Sequence, residues 1–191
     1  MRLIIVDGLD GVGKDTHAIF IKKRYENMGE RVIMRSHPAS DNYFGRQAKK
    51  ALLGAGKLNK IKASIFYMLD VLRSIKKYYR KKDYDTIIMV RYLMGTAYLP
   101  KKLVKIGYNF FYRFVPTSKY MFYLDSDPLE ILKRVKKRDM KEIFETQEAL
   151  IKVRKKSKNI IKDWIIIDTS GPVKETASLI EKKLDYLDKN Q

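Results

Sequence analysis

Near the start of the chain, seven residues have the types and spacing needed to hold a polyphosphate. Gly8-Leu9-Asp10-Gly11-Val12-Gly13-Lys14 follows an apolar run and precedes a helical pattern that opens with Asp15 and Thr16. Glycines there let the backbone wrap a phosphate closely, with its N–H groups turned inward. The helix that follows adds free N–H groups and the positive end of its dipole. Lys14 is placed to reach terminal phosphates. Strand, glycines, lysine and helix in that order predict a phosphate-binding loop over residues 8–16. One position departs from the usual pattern. A Ser or Thr hydroxyl normally follows the lysine and holds magnesium, and here the residue is Asp15.

Three further groups have chemistry to offer. Arg91 comes directly after an apolar run, 87–90, and its planar guanidinium suits phosphate oxygens. Arg134, Lys137 and Arg138 lie on one basic helix, with Arg134 and Arg138 on a shared face. Such a segment could close over phosphates and neutralise transferring charge, or it could be a solvated helix face. Phe66 and Tyr67 precede Asp70 and Arg73 on a long helix. An aromatic with an arginine could hold a base and its phosphate, although spacing alone reads Phe66 as core. His17 and His37 suggest no metal site, and no nucleophile elbow appears.

The elements that must position these residues alternate along the chain. Strands are predicted over 3–6, 31–34, 86–90, 119–124 and 164–167. Helices are predicted over 14–28, 44–53, 60–82, 103–114, 129–138, 147–161 and 173–187. The inward positions expected are Ile19, Ile21 and Tyr25 on the first helix. On the long helix they are Ile61, Ile65, Met68, Leu69, Leu72 and Ile75. This alternation predicts an α/β fold, a doubly wound five-stranded parallel sheet with helices on both faces. Ligands of such sheets sit beyond the carboxyl ends of the strands. Gly8 to Lys14, His37, Arg91, Asp125 and Asp168 all follow predicted strands.

Length and composition agree with one domain over residues 1–191. No apolar run approaches a membrane span, so no membrane partner is expected. Cysteine is absent, which excludes disulfides and fits the cytoplasm. The formal net charge is +19, from 41 Lys plus Arg against 22 Asp plus Glu. The basic residues are scattered in pairs such as Lys76-Lys77 and Lys155-Lys156 rather than gathered in one tract. No specific nucleic-acid partner is therefore expected.

With these residues in view, the chain resembles the thymidylate kinase family over nearly its whole length. The resemblance rests on Gly8-x-Asp10-Gly11-x-Gly13-Lys14 and on Arg91-Tyr92 after the third strand, with Thr96-Ala97-Tyr98 following. It extends through the stretch 124–138, Phe144-Glu145, and Trp164-Ile-Ile-Ile-Asp168. It implies transfer of the terminal phosphoryl group of ATP to dTMP with Mg2+, and leaves a homodimer open; the alternatives are a related kinase with another acceptor and a nucleotide-binding protein with little turnover. It implies donor-phosphate binding by residues 8–16, with Thr16 on the α-phosphate, and Asp10 on the acceptor's 3′-hydroxyl. Arg91 would hold the acceptor phosphate. Phe66 or Tyr67 would stack on thymine, with Arg73 and Tyr98 nearby. A lid around 134–147 would supply Arg134 or Arg138, because Gly11 stands where some members carry an arginine in the loop. The 168–173 loop would flank adenine.

Four positions depart from the family pattern: Asp15 for a hydroxyl residue, Val90 for the carboxylate before Arg91, Ile143 for a lid arginine, and Leu99 for a frequent glutamine. A carboxylate can bind magnesium directly. Asp15 is therefore read as the metal ligand that replaces the acid missing at 90. The plainer alternative is that an acidic residue favours a helix's first turn.

Overall fold

A computed structural model of the chain describes residues 1–54, 56–99, 101–136, 147–161 and 163–190. The side chains of residues 57, 97, 98, 101, 135, 136, 147 and 149 are excepted. The elements in chain order are β1 (Arg2–Gly8), α1 (Lys14–Asn27), β2 (Val32–Ser36), α2 (Tyr43–Leu52) and α3 (Lys57–Ser74). After α3 come β3 (Thr86–Val90), α4 (Lys101–Phe114), β4 (Tyr120–Asp125) and α5 (Pro128–Lys136). The last are α6 (Gln147–Lys158), β5 (Ile165–Asp168) and α7 (Val173–Lys189). The strands form one parallel sheet ordered β2-β3-β1-β4-β5. This is the expected doubly wound sheet, with the phosphate-loop strand at its centre.

Side chains alternate across the sheet, so each central strand feeds two cores. Ile4, Val6, Ile88, Val90, Phe122 and Leu124 face one side, where α1 and α7 cover them with Ile21, Tyr25, Ile180 and Leu184. Leu3, Ile5, Ile87, Met89, Met121 and Tyr123 face the other. There α3 and α4 supply Val71, Ile75, Val104, Tyr108 and Phe111. Each large side chain buried in this way contributes about 1.5–3 kcal/mol.

Two expected inward rows are corrected. On α1, Ile19 is 47 % exposed, and the inner row is Ala18, Ile21 and Tyr25. On α3, Ile65 and Leu72 are 47 % and 39 % exposed. The inner face of α3 instead carries Ala63, Asp70, Val71 and Ser74, all buried. The helix also tightens its span: it passes into a π-helical turn at Ile75–Tyr79 rather than continuing to 82. The misreading of α3 has a physical cause. Its inner face is partly polar because it anchors the loop after β2. Asp70 accepts the Ala39 amide at 2.7 Å and the Asn42 side-chain amide at 2.6 Å. Ser74 bonds His37 Nε2 at 2.9 Å, and His37 Nδ1 lies 3.1 Å from the Val90 carbonyl. A carbonyl can only accept, so Nδ1 carries the proton and Nε2 accepts from Ser74 in the neutral ring.

A second buried anchor sits in β1. Asp7 is 1 % exposed, and its Oδ2 accepts the backbone amides of Tyr92, Leu93 and Met94 at 2.8, 2.8 and 3.0 Å. This single carboxylate fixes the turn that leaves β3. Burial pushes its carboxyl above the ordinary carboxylate range, while the amide donors pull the other way.

Two measurements check these anchors. Removing the Asp7 carboxylate leaves three buried donors without an acceptor, each costing about 1–3 kcal/mol. Asp7→Ala is therefore expected to lose roughly 3 kcal/mol or more in urea denaturation. A loss under about 1 kcal/mol would show that the turn is held by other contacts. For His37, burial lowers the imidazole from 6.5 to about 4. Below pH 6.5 the unfolded chain takes up a proton that the folded chain refuses until pH 4. Stability should fall as pH drops through that window, with no contribution from His37 above it. His37→Gln should flatten the slope, and an unchanged slope would assign it to other groups.

Candidate active site

The loop between β1 and α1 depends on backbone shapes that favour glycine. Gly8 has φ +145°, and a Cβ there would lie 2.2 Å from the Leu124 carbonyl oxygen of the neighbouring strand. Gly13 precedes the first turn of α1 in the left-handed region, with φ +86°. The result is a tight loop leading into the open N-terminus of α1 at the sheet's carboxyl edge, where an anion is favoured. Lys14 is buried. Its Nζ donates to the Leu9 carbonyl and lies 3.2 Å from Asp10 Oδ1. Burial lowers its pKa, and the Asp10 charge opposes that shift. Asp15 and Thr16 lie in the first turn of α1, with Thr16 exposed.

Across from this loop stands Arg91. Its backbone takes φ +55°, and its amide donates to the Val6 carbonyl of β1 at 3.1 Å. Tyr67 of α3 donates its hydroxyl to the Arg91 carbonyl. With Asp7 holding the next three amides, the residue is pinned from two elements, β1 and α3. The guanidinium is held by oxygens. Nη1 donates to Asp15 Oδ2 at 2.8 Å and to Ser36 Oγ at 2.9 Å, and Nε lies 3.5 Å from Asp10 Oδ1. Ser36 in turn donates to Asp15 Oδ1 at 2.8 Å. The Arg91 charge and the Ser36 bond hold the Asp15 carboxyl below its usual range, although burial pushes the other way. Val90, where a carboxylate was the family expectation, is wholly buried in the core on the α1 side.

The two aromatics of α3 separate. Tyr67 reaches the Arg91 turn and packs its ring on Gly95 so closely that a Cβ there would lie 2.6 Å from it. Phe66 instead meets Tyr43 of α2 edge-on, with centroids 6.2 Å apart. Arg73 lies nearer the Arg35–Asp41 pair, where its charge helps lower the Asp41 carboxyl. Among the described residues its buried Nη1 has no hydrogen-bond partner. Tyr98 closes a short 3-10 turn, Met94–Tyr98, and its side chain lies outside the described residues.

On the other flank, Arg134 of α5 turns toward the loop after β5. Its Nη2 donates to the carbonyls of Thr169 and Ser170 at 2.7 and 3.3 Å, with Gly171 O at 3.5 Å. The same loop is stitched to the end of β4, since Thr169 N donates to the Asp125 carbonyl at 2.7 Å. Asp125 binds Arg154 of α6 in bidentate fashion at 2.7 and 2.8 Å, and Lys158 at 2.6 Å. Arg138 and the rest of the lid, with Ile143, Phe144 and Glu145, lie outside the described residues.

Sequence reasoning missed Asp7 and Ser36. Asp7 left a signal, a single charge inside an apolar strand directly before a glycine. Ser36 left none beyond its place at the end of β2.

The arrangement joins a polyphosphate loop, an arginine across the crevice and an aromatic helix beside it. It suits transfer of a phosphoryl group between two bound nucleotides. Comparison with known proteins agrees. A family model described as thymidylate kinase matches residues 6–180. A probable thymidylate kinase of Methanococcus aeolicus is 30 % identical over 96 % of this chain and 95 % of its own. One from Pyrobaculum calidifontis is 29 % identical over 96 % and 98 %. The solved structure of Candida albicans thymidylate kinase superposes with a TM-score of 0.77 at 17 % identity, covering 99 % of this chain and 92 % of that one, which shows the shared fold. The chain belongs to the thymidylate kinase family and is a nucleoside monophosphate kinase.

Proposed function

We infer that the enzyme transfers the terminal phosphoryl group of ATP to dTMP, giving dTDP and ADP. The observation that carries this reading is Arg91, a guanidinium fixed across the crevice from the phosphate loop. In this assignment the loop amides and Lys14 take the donor phosphates, and Arg91 takes the acceptor phosphate. The bond from the γ-phosphorus to ADP breaks, and a bond to an oxygen of dTMP forms. That oxygen is already ionised near neutral pH, so no side chain need act as a general base. The protein positions the two nucleotides and offsets charge. Tyr67 holds the Arg91 turn, which leaves Phe66 and Tyr43 as the aromatic pair at the acceptor side. Arg134, through the 169–171 carbonyls, positions the loop assigned to adenine. The lid cation facing the transferred group is assigned to Arg138. The cytoplasm, where such nucleotides are used, is the proposed location.

Bound magnesium would supply positive charge against the donor phosphates, and Asp15 is the residue that would hold it. Asp15 fits that ion. It is a carboxylate, its side chain is 46 % exposed, and it directly follows Lys14. Among the described residues no three His, Cys, Asp or Glu side chains gather into a cage. Magnesium commonly takes one or two carboxylates, with waters and phosphates as its other ligands.

The outward face of α3 and α4 supports a homodimer. Leu58, Ile65 and Leu72 repeat at seven-residue steps, and Leu103, Ile106, Phe110 and Phe114 lie on the adjacent helix. Every one is at least 39 % exposed. They flank an apolar groove of about 250 Å³ lined by Ile61, Met68, Leu99 and Phe111. A row of this kind pairs with its own copy about a two-fold axis, and exposed apolar surface of this extent is unusual on a monomer.

Two tests follow. ADP production from ATP with each monophosphate should rank dTMP above dCMP, dGMP and AMP. Arg91→Lys, which loses the planar fork, should raise the KM for dTMP by about tenfold or more, as expected for roughly 1.4 kcal/mol of lost binding. A tenfold preference for a purine acceptor would replace the thymidylate reading. In sedimentation, the wild type should run as a dimer and the Ile65→Lys/Phe110→Lys variant as a folded monomer. A wild-type monomer would remove the dimer.

A further inference from the structure

The Asp15 carboxylate does something that neither a metal ligand nor a helix-dipole residue requires. It closes a ring with Ser36 and Arg91. Ser36 donates to Asp15 Oδ1 at 2.8 Å, and Arg91 Nη1 donates to Asp15 Oδ2 at 2.8 Å and to Ser36 Oγ at 2.9 Å. Asp10 Oδ1 adds a second carboxylate 3.5 Å from Arg91 Nε. Asp10 comes from the phosphate loop and Asp15 from the first turn of α1. Residue 90 contributes no charge: it is an uncharged valine, buried in the core. The cation assigned to the acceptor phosphate is thus already matched by two carboxylates, and one of them, Asp15, is the residue assigned to the donor's metal.

We propose that Asp15 is a latch on Arg91: it occupies Nη1 of the guanidinium, a donor that an incoming acceptor phosphate would use, and gives it up when a cation takes Asp15. The inference rests on the reading of Arg91 as the acceptor-phosphate residue and of Asp15 as the metal ligand. Two competitions share one contact. A phosphate dianion and Asp15 compete for Nη1, and their like charges repel at this range. Magnesium and Arg91 compete for Oδ2. A metal-bound donor therefore removes the acceptor's competitor, and a bound acceptor removes the metal's. Coupling of this kind is reciprocal and favourable in both directions. A hydroxyl residue at 15 would not create it, since it brings no charge to Arg91. The consequence is an order of assembly: the acceptor binds weakly to the bare protein and tightly once the magnesium-bound donor is in place.

A simpler role predicts the opposite sign. If Asp15 only holds Arg91 in a useful position, removing its charge weakens dTMP binding. The latch predicts that removal strengthens it.

The test is titration calorimetry of dTMP against wild type, Asp15→Asn and Ser36→Ala. Each is measured in EDTA alone and with ADP plus Mg2+, a mixture that cannot turn over. In EDTA, Asp15→Asn should bind dTMP about fivefold or more tighter than wild type, the lower end of typical couplings. Ser36→Ala should move in the same direction by less. Adding ADP and Mg2+ should tighten wild type by a similar factor and leave Asp15→Asn unchanged. Equal or weaker dTMP binding by Asp15→Asn in EDTA would overturn the latch. Wild-type affinity indifferent to ADP and Mg2+ would overturn the linkage. The metal reading fails separately, if Asp15→Asn binds ADP with the same magnesium dependence as wild type. The acceptor reading fails separately, if Arg91→Lys binds dTMP as wild type does.

Discussion

The bonds from Asp7 to three successive amides are the contact on which the site depends. A carboxylate buried in the central strand holds the turn that leaves the neighbouring strand, so β1 carries both halves of the site. One residue later Gly8 begins the phosphate loop, where the Leu124 carbonyl of β4 leaves no room for a side chain. The loop and Arg91 are thus set against each other by adjacent residues of one rigid strand. A site built on a strand holds its geometry better than one built on two independent loops.

Charge in the crevice is arranged in pairs. Lys14 rests on Asp10 and the Leu9 carbonyl, and Arg91 on Asp15 and Ser36. Buried or half-buried cations without partners are costly, so removing either member of these pairs destabilises the folded chain. They also set what a ligand must displace. In the proposed assignment, nucleotide phosphates compete with these oxygens for the same cations. The net charge of +19 adds a general attraction for anions, but the local pairs decide where phosphate goes.

The helix α3 works on both of its faces. Inward, Asp70 and Ser74 hold the loop after β2 through Ala39, Asn42 and His37, and Tyr67 holds Arg91. Outward, Leu58, Ile65 and Leu72 are exposed. The helix therefore sets polar anchors among the apolar residues of its inner face and leaves several apolar residues exposed.

The sequence alone determined the fold class, the order of the elements and the phosphate loop. Apolar runs separated by helical periods allow little else, and the glycines at 8 and 13 are demanded by local backbone shape. It also placed Arg91 at the carboxyl end of a strand, because strand ends in a parallel sheet share one edge. The tertiary structure alone decided which face of α3 is inside, since buried polar residues satisfied by distant partners look solvent-facing in a hydrophobic pattern. It alone showed that Arg134 turns to the 169–171 carbonyls. It alone joined Asp15 to Arg91 and Ser36, residues 76 and 21 positions away. Periodicity reports which residues lie on one element. A contact between side chains on three different elements exists only once the sheet has set their strand order and register.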